Sequence, residues 1–193
     1  MRLTIPTWLT LARIAMIPVL VIVYYLDYRW TNVAATAVFV FASLTDWLDG
    51  WIARRFHQSS AFGAFLDPVA DKLMVSTALV ITVQYHHTVW MALWAAVIIG
   101  REIAVSALRE WMAEVGQRAK VAVATVGKIK TVVQMVALGF LLYREPFLGL
   151  PIFVIGEWLL AAAAILTLRS GYEYVRAAWP ALRAQEAKGV DSP

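Results

Sequence analysis

The chain is 193 residues long, 61% hydrophobic and only 16% charged, with a mean hydropathy of +0.68. A soluble domain is roughly 45–50% apolar and about 25% charged, so the composition excludes an ordinary water-soluble globule and indicates a polytopic membrane protein. The formal charge of +4 is modest, and the absence of cysteine excludes disulfides and thiolate metal sites.

About 20 apolar residues suffice for a helix to cross a hydrocarbon core of ~30 Å. Six such segments follow one another, over about 8–26, 32–53, 67–86, 89–108, 121–142 and 150–169. The expectation is an all-α protein of six transmembrane helices, with residues 1–176 forming one membrane-embedded domain and 177–193 a polar cytoplasmic tail. No internal repeat or low-complexity tract interrupts it. The first segment is longer than the apolar run of a signal peptide, and the small-residue stretch Ala35-Thr36-Ala37 falls inside the second span, so the first segment is expected to stay uncleaved.

Lysine and arginine set the orientation. The loops 27–31, 87–88 and 143–149 hold only Arg29 and Arg144, whereas the alternate segments hold Arg2, Arg54, Arg55, Arg118, Lys120, Arg176, Arg183 and Lys188. Both termini are therefore expected on the cytoplasmic side. Asp46 and Asp49 then end span 2 there, and Asp67 and Asp71 begin span 3 there. Arg101, Glu102 and Arg109 in span 4, and Lys128 and Lys130 in span 5, fall in the same layer. Glu157 stands outside it and is assigned no function. The tryptophans near the span ends, Trp8, Trp30, Trp47, Trp51, Trp90 and Trp111, fit interfacial belts rather than base-stacking sites, so no nucleic-acid partner is expected. His57, His86 and His87 are read as loop or end residues rather than metal ligands.

A carboxylate at the centre of a membrane helix costs about 2.5–3.5 kcal/mol on insertion scales. Asp46 and Asp49, at i,i+3, share one helix face, and Asp67 and Asp71, at i,i+4, share another. Carboxylates brought together repel unless cations lie between them. Oxygen-only ligation selects Mg²⁺, Mn²⁺ or Ca²⁺ over Zn²⁺. The alternative is a salt-bridge cluster with Arg54, Arg55 and Lys72. Pro68 fits the first turn of a helix, so Asp67 can either cap that helix or ligate a metal. Gly50, Ala53 and Gly63 leave room for a ligand or for another helix, and Arg54 can pair with a carboxylate or hold a phosphate.

The stretch Asp46-x-x-Asp49-Gly50-x-x-Ala53-Arg54, eight residues, then Gly63-x-x-x-Asp67-x-x-x-Asp71 resembles the signature of the CDP-alcohol phosphotransferases at all eight fixed positions. The resemblance implies a metal-binding set of Asp46, Asp49, Asp67 and Asp71 holding two divalent cations, Mg²⁺ or Mn²⁺. It implies Asp71 as the base, and nucleotide contacts from Asp49, Gly50, Ala53, Arg54 and Gly63. The stretches PTWLTLARIAMIP, GREIAVSALREWMAEVG and GKIKTVVQM are similar to bacterial members that use sn-glycerol 3-phosphate. By that likeness CDP-diacylglycerol and sn-glycerol 3-phosphate give phosphatidylglycerophosphate and CMP. The likeness further implies a homodimer among membrane lipids in the bacterial cytoplasmic (inner) membrane, its active site facing the cytoplasm.

A phosphorylated acceptor needs a cationic pocket, and guanidinium forks suit phosphate. Arg101, Arg109, Lys128 and Lys130 are the candidates for glycerol-phosphate binding. Against that role, Arg101 can pair with Glu102 or Glu110, and the lysines can snorkel to lipid headgroups. Two other functions compete: the same family chemistry with another acceptor alcohol (inositol phosphate, serine or phosphatidylglycerol), and a divalent-cation transporter. A transporter needs ligands near the midplane with access from both sides, whereas these charges crowd one face.

Overall fold

The computed structural model describes residues 4–56, 60–116 and 125–190, with side chains described at all of these except 53, 54, 61, 125–128 and 184–190. The described residues form six helices: α1 (Ile5–Tyr25), α2 (Thr31–Phe56), α3 (Ala61–Tyr85), α4 (Val89–Glu114), α5 (Thr125–Tyr143) and α6 (Ile152–Val190). No strand occurs among the described residues; Phe147 and Leu150 form an isolated backbone pair in the α5–α6 connection.

Among the described residues, four stretches are long and apolar enough to cross a membrane: Ile5–Tyr25, Thr31–Ile52, Val89–Glu114 and Ile152–Arg183. Apolar side chains cover much of the outside, among them Ile22, Phe41, Leu44, Val80, Ile103 and Ile165. That distribution suits lipid as the surrounding solvent and identifies an integral membrane protein. The interior is built where small residues let helices approach: Ala35, Ala42, Ala78, Ala95, Ala137 and Ala164 are buried beside Leu20, Phe39, Met74, Leu79, Ile98, Leu138 and Leu160. The α1 helix packs on α2 and α3, α6 packs on α4 and α5, and the two groups meet through α2–α5 and α3–α4.

One end of the bundle is closed by polar and aromatic contacts between the connections after α1, α3 and α5. Arg144, in the left-handed region at φ 66, lays its guanidinium 3.7 Å from the Tyr24 ring centroid and 4.2 Å from that of Tyr85. The Asn32 side-chain amide donates to the carbonyl of Tyr143 at 3.0 Å. Glu157 Oε1 lies 2.9 Å from Nε2 of His86, which gives it a place joining α6 to the end of α3. The aspartates lie at the opposite end.

Two local features differ from the sequence expectation. Helix α3 starts at Ala61, not at Asp67: the Ser60 hydroxyl caps it by accepting from the Gly63 N–H at 2.9 Å. Asp67 is therefore no cap. Pro68 lies inside the helix, where it has no N–H to return to the carbonyl of Ala64. At the other end of the chain, α6 continues to Val190. Ala178 and Ala181 are buried there against Met112 of α4, with Leu108, Trp111 and Tyr174 around them. His57 lies outside the described residues.

Candidate active site

The residue that organises the aspartates comes from α1. Thr7, Thr10 and Arg13 recur every third position, so they occupy one side of the helix, and all three are buried. Arg13 is 1% exposed. Its Nη1 lies 2.8 Å from Asp46 Oδ1, and its Nη2 donates to Asp49 Oδ2. Of the counter-charges in the alternative salt-bridge cluster, Lys72 donates to Ser106 Oγ on α4. The side chain of Arg54 lies outside the described residues, and Arg55 is exposed.

Thr10 and Thr7 tie α1 to α3. The Thr10 hydroxyl lies between the Pro6 carbonyl, 3.0 Å away, and the carboxylate of Asp67, to which it donates. Thr7 hydrogen-bonds with Ser60 at 2.8 Å. Gly63 is buried at this crossing; a Cβ there would stand 2.9 Å from Thr7 Oγ1 and 3.0 Å from Ser60 Oγ. Of the two uses open to Gly63, the close approach of helices is thus directly visible. Gly50 is half-buried on α2. Ala53, a candidate nucleotide contact, has its side chain outside the described residues.

All four carboxylates lie in one neighbourhood. Asp49 interacts electrostatically with Asp46 and Asp67, and Asp71 with Asp46, Arg13, Glu102 and Lys130. Among the described residues no group of three or more acidic or histidine side chains is close enough to hold a metal ion. The present pairing is with Arg13 and Thr10. The donor chemistry nevertheless fits hard divalent cations, since the groups available are carboxylate oxygens with no histidine or thiolate among them.

Asp71 borders a polar cavity of about 180 Å³ whose walls include Lys72, Arg101, Glu102, Arg109, Lys130, Gln134 and Tyr174. Three of the four candidate phosphate-binding cations are thus gathered beside Asp71. Lys128 is a residue of α5 whose side chain lies outside the described residues. Lys130 is 4% exposed and ion-pairs with Glu102, so it is not snorkelling to the lipid surface. Arg101 does approach Glu102, at 3.4 Å, yet its Nη2 donates to Ser170 Oγ at 2.8 Å and its guanidinium lies 5.5 Å from the Tyr174 ring centroid. One carboxylate is thereby shared between two cations, leaving the cavity with Arg109 as its exposed positive group.

A second opening runs between α2 and α5. It encloses about 640 Å³, begins at Asp46 and Trp47, and continues past Phe39, Met135 and Gly139 to Tyr143 and Ile152. Its walls are overwhelmingly apolar. Thr131 and Met135 border both this groove and the polar cavity, so the two adjoin on α5.

An all-helical membrane bundle with this aspartate pattern defines a class, and comparison with known proteins agrees. Residues 3–169 match the model of the CDP-alcohol phosphatidyltransferase family, so the chain belongs to that family. It is 51% identical over 180 residues to the CDP-diacylglycerol–glycerol-3-phosphate 3-phosphatidyltransferase of Yersinia pestis (strain Pestoides F), covering 93% of this chain and 97% of the relative. Proteins of the same name from Sodalis glossinidius (strain morsitans) and Pectobacterium atrosepticum are each 51% identical over 178 residues, covering 92% of this chain and 96% of theirs.

Sequence reasoning missed Arg13, Thr7, Thr10 and Gln134. The first three carried a usable signal: a lone arginine in an apolar span, preceded at threefold spacing by two hydroxyls. Gln134 carried none, because whether a glutamine is buried depends on how α5 packs.

Proposed function

We propose that the chain transfers the phosphatidyl group of CDP-diacylglycerol to sn-glycerol 3-phosphate, giving phosphatidylglycerophosphate and CMP. The observation that carries this reading is the junction of the two openings: a polar, cationic cavity and an apolar groove meet beside the aspartates. An amphiphilic donor and a small anionic acceptor need that arrangement. Relatives at 51% identity that bear the name of this activity support it.

In this reading the acyl chains lie along the α2–α5 groove, and the CDP group lies over the end of α2 near Asp49, Gly50, Ala53, Arg54 and Gly63. The acceptor phosphate is held by Arg101, Arg109, Lys128 and Lys130. Its free primary hydroxyl is thereby aimed at the donor phosphorus, with Asp71 placed to take the hydroxyl proton. The oxygen–phosphorus bond to the acceptor forms as the phosphoanhydride bond to CMP breaks, and the electron pair leaves on the CMP phosphate. Asp46, Asp49, Asp67 and Asp71 would hold two divalent cations, Mg²⁺ or Mn²⁺, which neutralise charge on the pyrophosphate and leaving oxygen. Arg13 keeps Asp46 and Asp49 together.

The reading extends to six spans, with α3 and α5 crossing alongside the four more apolar helices. Both termini and the active site face the cytoplasm of a bacterial inner membrane, residues 1–176 form the catalytic domain, and the chain works as a homodimer.

The test is CMP release by purified protein with CDP-diacylglycerol and a panel of acceptor alcohols. Activity with sn-glycerol 3-phosphate, abolished by EDTA and restored by Mg²⁺ or Mn²⁺, is the expected result. Activity confined to inositol phosphate, serine or phosphatidylglycerol would replace the acceptor, and cation flux into proteoliposomes without CMP release would replace the enzyme reading altogether.

A further inference from the structure

Gln134 is 4% exposed, borders the polar cavity beside Asp71, and its side-chain oxygen is buried with no hydrogen-bond partner among the described residues. A buried amide oxygen without a donor carries a desolvation cost that a bound ligand can relieve. Arg101, which also lines this cavity, has an unmatched atom of opposite character: its buried Nε, a donor without a partner among the described residues. One wall therefore lacks an acceptor and another lacks a donor. Water can answer either, but a small organic phosphate that also carries a hydroxyl answers both.

Resting on the function proposed above, we infer that the Gln134 side-chain oxygen accepts a hydrogen bond from the hydroxyl of the acceptor that does not react, and so selects a diol phosphate. Glycerol 3-phosphate has two hydroxyls. The primary one attacks, directed by Asp71, while the phosphate engages Arg101 and Arg109. The secondary hydroxyl on the middle carbon is left, and its proton needs an acceptor. The nearby anions are otherwise engaged: Glu102 is held by Lys130 and Arg101, and Asp71 is reserved for the reacting hydroxyl. A neutral amide oxygen suits this task because it accepts without repelling the phosphate. A site built around a substrate hydroxyl discriminates against analogues lacking it, since its polar atom is then left unpaired.

The experiment compares sn-glycerol 3-phosphate with 3-hydroxypropyl phosphate, which keeps the primary hydroxyl and the phosphate but lacks the middle hydroxyl. The wild type is expected to favour glycerol 3-phosphate by roughly tenfold to a hundredfold in kcat/KM, the range of one buried hydrogen bond left unmade. Gln134→Leu is expected to lose that advantage by slowing glycerol 3-phosphate while leaving 3-hydroxypropyl phosphate within about twofold. Equal losses on both acceptors, or unchanged selectivity in the variant, would overturn the inference. So would a wild type that accepts both substrates equally, a result that stands even if the variant does not fold. Absence of CMP release with either acceptor removes the proposed function and this inference together, whereas release with unaltered selectivity removes the inference alone.

Discussion

Arg13 and Asp49 form a buried ion pair between α1 and α2, with side chains 2% and 4% exposed. The same guanidinium reaches Asp46 at 2.8 Å, so a single cation on the first helix holds two carboxylates one turn apart on the second. The more exposed Asp46 and the buried Asp49 thereby differ in how strongly they depend on Arg13.

Replacing Arg13 should expose that dependence. Removing one member of a buried pair leaves the other uncompensated, at a cost of about 3–5 kcal/mol. Arg13→Gln is expected to lower the thermal midpoint in detergent markedly and to suppress CMP release. Asp49→Asn in the same background should recover part of the lost stability without recovering activity, because it removes the orphaned charge. An unchanged midpoint in the single variant would show that Arg13 is dispensable to the fold.

Asp71 has a different environment. It is half-buried, borders the polar cavity and interacts electrostatically with the anions Asp46 and Glu102 as well as the cations Arg13 and Lys130. Asp71→Asn keeps the shape and removes a charge from a crowded acidic neighbourhood. The protein is expected to remain folded, with melting unchanged or slightly raised. CMP release should fall by at least ~10²–10⁴-fold, the usual contribution of a positioned general base. Substantial turnover in the variant would free Asp71 of the base role.

Much of this site is legible in the sequence because ionised groups in an apolar background are conspicuous. The aspartates, Arg101, Arg109 and Lys130 stand out for that reason, and their helical spacing already puts them at one end. Arg13 is just as isolated, but the span around it reads as lipid-facing until the threefold repeat with Thr7 and Thr10 is noticed. The start of α3 was hidden by a local conflict. Asp67-Pro68 is a strong helix-start signal, yet Ser60 with Gly63 provides a cap two turns earlier, and the apolar residues between extend the helix. The end of α6 was hidden because a polar tail composition does not reveal Ala178 and Ala181, whose burial depends on Met112 of a distant segment. The all-helical class followed from the apolar runs, whereas partnerships between helices required the packing.

Arg109 offers a test that distinguishes the proposed acceptor pocket from the donor groove. It lines the polar cavity, is exposed, and has no part in the Lys130–Glu102–Arg101 cluster. Its loss should leave the bundle intact. A charge-assisted hydrogen bond to phosphate contributes about 1.5–3 kcal/mol, so Arg109→Ala is expected to raise KM for sn-glycerol 3-phosphate roughly ten- to a hundredfold. The KM for CDP-diacylglycerol should change little. Equal rises in both would place Arg109 outside the acceptor pocket, on a function shared by both substrates.

The apolar groove makes its own claim through Gly139. This glycine lines the α2–α5 opening, and a Cβ placed on it would meet nothing within 4 Å. Leucine is a better helix former than glycine, which lies about 1 kcal/mol below alanine, so Gly139→Leu should fold at least as well as the wild type. Its side chain would project into the groove and clash with acyl methylenes lying there, at the cost of their packing contacts with the groove wall. With a long-chain CDP-diacylglycerol, kcat/KM is expected to fall roughly tenfold, about 1.4 kcal/mol of lost packing in the groove. A dibutyryl donor, whose chains end before this depth, should react almost as with the wild type. Rates measured for the two donors in the same detergent decide the matter: a parallel loss on both would mean that the substitution disturbs the aspartate end, and no loss on either would mean that the acyl chains lie elsewhere.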